Sequence, residues 1–129
     1  MIRLIQRRLI IPQGDTGEFT IPTQGTVSNG DVAILAIYDN LTHTTVLEKQ
    51  IDATAETLTF NFESKDTASL EPNDGDYYYS NSKRYSWDVT IMRSPSVNNE
   101  GKIEYASIDS YYAAFGLPAC IIKRVTRNV

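Results

Sequence analysis

One histidine, one cysteine and sixteen carboxylates are the residues of this chain best suited to chemistry. His43 stands in the polar stretch Asn40-Leu41-Thr42-His43-Thr44. A catalytic triad or a zinc site would have to gather its other members from distant parts of the chain. With a single Cys such a zinc site would lean on carboxylates, so His43 reads as a solvated loop residue. Cys120 is followed by Ile121 and Ile122. A reactive thiol needs a basic, partly exposed setting. Lys123 and Arg124 come next, but the immediate neighbours are apolar, and Cys120 reads as a small buried core residue.

Glu71-Pro72-Asn73-Asp74-Gly75-Asp76 has the look of a calcium loop, but the EF-hand order of ligands fails, because Gly75 and Asp76 occupy the wrong positions and Ser82 stands where the bidentate Glu belongs. A tight turn accounts for it better. Gly14-Asp15-Thr16-Gly17 is not followed by the Gly-Lys-Ser/Thr of a phosphate loop. Asn40-Leu41-Thr42 is a glycosylation triplet, which carries little weight without secretion. No pair among the acids is singled out for sugar hydrolysis. The expectation is no enzyme, with no catalytic residue, no cofactor and no metal.

The tyrosines are less ordinary. There are eight, with Tyr77-Tyr78-Tyr79 consecutive and Tyr111-Tyr112 paired. Neighbouring strand residues point to opposite faces, so these five are candidate exposed aromatics that could stack on a sugar or a protein partner. The competing reading is that they fill a sandwich core with their hydroxyls at its rim. The basic residues are also unevenly placed. Arg3, Arg7, Arg8, Lys123, Arg124 and Arg127 lie at the two ends, with no acid among residues 1–8 or 110–129. The formal net charge is −4, so residues 9–109 carry −10. Such a body is a poor nucleic-acid ligand. Its basic ends are candidate assembly sites for an acidic neighbour, including a second copy. Alternatively the two ends are paired edge strands of one sandwich, with their arginines solvated.

The elements that would position these residues are strands. Alternation of apolar and polar side chains recurs in Glu18–Ile21, Thr57–Phe62 and Arg84–Ile91, as in half-buried antiparallel strands. Trp87 shares a face with Tyr85, Val89 and Ile91 and is expected between two sheets. Val32–Tyr38 is apolar on both faces and reads as a central strand covered on both sides. Thr45–Ile51, Ile103–Ile108, Cys120–Val125 and residues 2–11 are further candidates. Ser28-Asn29-Gly30-Asp31, Ser94-Pro95 and Asn98-Asn99-Glu100-Gly101 read as turns or loops. Asp66–Leu70 is expected to form one helical turn capped by Asp or Thr. Seven or eight short strands of this kind predict a single all-β domain over residues 1–129, an immunoglobulin-like antiparallel β-sandwich.

At 129 residues the chain is long enough for one real core. The basic start is followed by only Leu9-Ile10-Ile11 before Pro12, too short an apolar run for a secretory signal. No apolar run approaches the roughly 20 residues of a membrane helix. With a single Cys no internal disulfide can form, and folding in a reducing cytoplasm is expected.

The order of motifs resembles the small immunoglobulin-like domains of phage and prophage structural proteins, among them the N-terminal domain of baseplate upper proteins. The segments that carry the resemblance are Gly14-Asp15-Thr16-Gly17-Glu18-Phe19, Gly30-Asp31 with its apolar run, Thr67-Ala68-Ser69-Leu70 followed by Gly75-Asp76-Tyr77, Tyr85-Ser86-Trp87-Asp88-Val89, and Gly101-Lys102-Ile103. In the family the Gly-Tyr and Tyr-Asp elements are nearly fused, whereas Tyr78 to Arg84 intervene here, and Tyr111 to Val129 have no counterpart. The resemblance implies a non-enzymatic tail or baseplate protein. It would be assembled in the bacterial host cytoplasm into the virion, with copies of itself or other phage tail proteins as partners. No nucleic acid and no membrane insertion are expected. The alternative is a carbohydrate-binding or adhesin-like module using its tyrosines on a glycan. A small hydrolase is a third class, for which no residue set presents itself.

Overall fold

A computed structural model describes residues 1–23, 25, 27–53, 55–73, 84–112 and 116–125. Among the described residues nine strands and one short helix follow in the order β1 (Arg3–Ile5), β2 (Arg8–Pro12), β3 (Gly17–Pro22), β4 (Val32–Asp39), β5 (Thr44–Asp52), β6 (Thr57–Phe62), α1 (Ser64–Ala68), β7 (Tyr85–Val97), β8 (Ile103–Ser110) and β9 (Ala119–Lys123). Seven strands form one sheet in the order β1-β2-β9-β7-β4-β5, with β8 also on β7, and β3-β6 form the second. The fold is an all-β sandwich in which the alternating residues meet between the sheets. Phe19, Ile21, Leu58, Phe60 and Phe62 come from the small sheet, and Leu35, Ile37, Tyr85, Trp87, Val89 and Ile91 from the large one.

The Tyr85 hydroxyl donates to the Glu71 carbonyl at 3.0 Å, tying the start of β7 to the segment before it. The sheet is not wholly antiparallel. β2 pairs parallel with β9, Leu9 against Cys120 and Ile11 against Ile122. Two strands so far apart in sequence meet because both carry branched apolar residues on the core face, and Leu9, Ile11, Cys120 and Ile122 are fully buried there.

Several boundaries differ from the sequence reading. Residues 2–11 form two strands, because Gln6 and Arg7 turn at φ 50° and 67° in a two-residue loop that pairs Ile5 with Arg8. Both central residues of such a tight hairpin need positive φ, which Gln and Arg do not advertise. Ser94-Pro95 is no loop: β7 runs to Val97 and only Asn98–Lys102 turn back. Ser94 takes a positive φ of 55° and drops out of the pairing, while its N–H donates to Asp31 Oδ1 at 3.0 Å. Pro95 is tolerated because β4 pairs with β7 only as far as Met92, so no donor is needed on that side. Gly30, at φ 93°, lies under Pro95, and a Cβ there would sit 3.0 Å from the proline ring.

The helical turn begins earlier than expected, at Ser64 after Glu63. Asp66 does not cap it from the front but accepts the Glu63 N–H from inside it at 2.7 Å. Val32–Tyr38 is central but is not sealed on both sides. Ala33, Leu35 and Ile37 on the core face and Ala36 on the outer face are buried, whereas Val32, Ile34 and Tyr38 on the outer face are half-buried.

Candidate functional site

The parallel β2–β9 pairing brings the two ends of the chain together. Alternation places Arg3 and Arg8 on the outer face of β1 and β2, since their neighbours Leu4 and Leu9 turn inward, and Lys123 lies on the same face of β9 beside Pro12. Arg7 sits at the hairpin turn, with its guanidinium 5.9 Å above the Tyr112 ring and its carbonyl accepting the Trp87 Nε1–H at 3.0 Å. Arg124 is exposed just beyond β9. Arg3, Arg7, Arg8, Lys123 and Arg124 are thus gathered at one margin, whereas Arg127 lies outside the described residues. The two ends pair as strands of one sandwich, but β2 and β9 lie inside the sheet and only β1 is an edge, unlike the paired edge strands expected. β1 still leaves an open edge three residues long, with Leu4 40% and Ile5 41% exposed.

The aromatic candidates divide differently. Tyr77, Tyr78 and Tyr79 lie outside the described residues. Tyr111 and Tyr112 are not exposed, at 7% and 9%, and this corrects their assignment as stacking platforms. After Ser110 the chain leaves β8, and the pair fills the space beside β7 ahead of β9. Tyr112 packs edge-on to Trp87 at 5.1 Å, and the Tyr111 hydroxyl donates to the Pro22 carbonyl of β3. Burial pushes the Tyr112 phenol above its ordinary value.

Residues suited to chemistry are placed in structural roles. Cys120 is fully buried, and desolvation pushes its thiol upward, away from the thiolate form that reacts. His43 is exposed at the β4–β5 turn with φ 58°. Asn73, from the segment that resembled a calcium loop, spends its side chain on β9. Its amide donates to the Cys120 carbonyl at 3.1 Å and its oxygen accepts the Ile122 N–H at 2.6 Å. Nothing local in the sequence signals that role, because its partners lie 47 and 49 residues away. Asp39 is buried against Arg84, whose Nε and Nη2 each donate at 2.9 Å, and this pair holds the carboxyl below its usual range. Asp31 is held low by the N–H groups of Ser28 and Ser94. Among the described residues no group of three or more His, Cys, Asp or Glu is arranged to hold a metal ion. A depression of about 160 Å³ beside α1 is lined by Gln13, Gly14, Ser64, Ala68 and Val125. It is smaller than the roughly 300–1,000 Å³ of small-molecule sites and brings no acid or base together.

The surface is more distinctive than the interior. The β7–β8 hairpin carries Val97 opposite Ile103, and Ile108 opposite Met92, with Val97, Ile103 and Ile108 all largely exposed. No family model, no curated protein and no solved structure matches the chain.

Proposed function

We propose that this chain is a non-enzymatic structural subunit of a phage or prophage particle, a tail or baseplate protein that works by assembling with copies of itself or with neighbouring tail proteins. The observation that carries the reading is the basic margin at which both ends of the chain meet, with its short open strand β1. A strand edge with exposed Leu4 and Ile5 offers backbone groups and apolar side chains to a neighbouring strand. Arginines beside it favour an acidic neighbour, which the body of another copy supplies. The order of motifs from Gly14 to Ile103 adds the phage context.

Deleting the coding sequence from the prophage that carries it tests the reading. The expected result is particles that lack a complete tail or baseplate by electron microscopy and regain it when the gene is supplied in trans. Complete, infectious particles made without the protein would refute the proposal.

A further inference from the structure

Strand β8 is an edge along its whole length. β4 pairs with Tyr85–Met92 on one side of β7, so β8 and β9 both lie on the other side, β8 against Thr90–Val97 and β9 against Tyr85 and Ser86. β2 and β1 extend the sheet beyond β9, but among the described residues no strand pairs with the far side of β8. Its edge therefore stands in a step about 10 Å deep, two strand spacings, with the β1–β2 turn at one end. The usual guards of an open edge are missing. β8 holds no Pro and no Lys, and it is exposed except at half-buried Tyr105 and Ser110. Ile103 and Ile108 are each 62% exposed, and Asp109 is engaged by Arg93 of β7.

Such an edge takes another strand. We infer that this strand is β8 of a second copy, paired antiparallel about a two-fold axis normal to the sheet, so that the two large sheets become one. In a continuous sheet, residues opposite each other share a face, so the axis passes through a residue and not between two. Centred on Ala106, it sets Ile103 of the second copy opposite Asp109, level with Ile91 of β7, while Arg8 lies level with Ser86. The loop Asn98–Lys102 of the second copy fills the interval between these levels and approaches the Gln6–Arg7 turn. An axis through Ser107 would advance that loop two residues further, into the turn. The Ala106 register sets no like charges opposite each other: Glu104 meets Ile108, Tyr105 meets Ser107, and Ala106 meets its own copy. Charge favours the same partner, since the loop and β8 carry Glu100, Glu104 and Asp109 against Lys102, and the turn that receives them carries Arg7 and Arg8. The interface is isologous, so every contact occurs twice. The pairing is independent of the phage reading and leaves the β1 edge free.

Sedimentation of the full chain, with Ile108 substituted in two ways, tests it. The wild type should form a concentration-dependent dimer at low salt that weakens as salt rises. Ile108→Glu sets a carboxylate opposite Glu104 of the other copy and should raise the dimer Kd about tenfold or more. Ile108→Lys loses the same apolar side chain but meets Glu104 with a cation, and should stay within about threefold of the wild type. Ala106→Cys should form a disulfide-linked dimer with an added oxidant, because the axis brings the two thiols together. A monomer at every concentration in low salt would overturn the inference. So would a dimer that Ile108→Glu leaves intact, or equal weakening by the two Ile108 variants when both are folded by circular dichroism, the mark of a plain apolar contact. A dimeric Ala106→Cys chain that forms no cross-link would overturn it as well. None of these results bears on whether the gene is needed for particle assembly, so the two proposals fail separately.

Discussion

Trp87 links several parts of the molecule. It is fully buried, takes the Phe19 ring edge-on at 5.6 Å across the two sheets, and holds the N-terminal hairpin through the Arg7 carbonyl. Trp87→Ala should cost about 3–5 kcal/mol, a large share of the stability of a domain this size. Chemical denaturation measures that loss, and wild-type fluorescence should be blue-shifted relative to tryptophan in water. Two buried carboxylates make stability depend on pH. Asp31 and Asp39 are both held below the ordinary 3.8, so the folded state binds fewer protons than the unfolded chain. Their contribution is complete above that value and is lost as pH falls through it toward the lower folded values. Melting temperature should therefore be level from neutral pH down to about 5 and fall below about 4. Asp39→Asn should flatten that fall, and a variant that melts as steeply in acid as the wild type would contradict the assignment.

At the scale of elements, the same reading of side chains succeeded where partners are local and missed where they are not. The alternation in Thr57–Phe62 and around Trp87 was legible because one face must enter the core and a period of two shows it. The apolar run of β4 marked it as central, but not that its outer face would stay half open. The β1–β2 turn was hidden because Gln6 and Arg7 are not turn formers. The β2–β9 pairing was hidden because parallel neighbours more than a hundred residues apart leave no joint signature in sequence. Tyr111 and Tyr112 look like strand residues with one side out, but they fill a space that exists only once β8 and β9 have separated. The hairpin makes a definite prediction. Deleting residues 1–5 removes only the edge strand and should leave a folded chain, melting lower, with Trp87 still buried. Deletion through Ile11 removes two fully buried core residues, Leu9 and Ile11, and all of the parallel pairing but Pro12 with Lys123, and should unfold the protein. Thermal unfolding followed by Trp87 fluorescence separates the two, and equal behaviour of the two truncations would show that β2 does not hold the sheet together.

At the scale of the whole molecule, the chain is an acidic sandwich whose basic ends are folded into one margin of its larger sheet. The uneven charge was visible in the sequence, but its geometry was not, because the sequence alone left open whether the two ends separate as arms or pair with each other. Their pairing concentrates positive charge beside an open strand and opposite the acidic strand β5. The proposed role as a particle subunit is tested on the particle itself. The most direct measurement is quantitative mass spectrometry of phage particles induced from the source strain and purified on a density gradient. The account predicts this chain among the structural proteins of the particle, at a fixed ratio to the major tail proteins and retained after high-salt washing of the assembled particle. Its absence from purified particles, while it accumulates freely in the same lysate, would contradict the account.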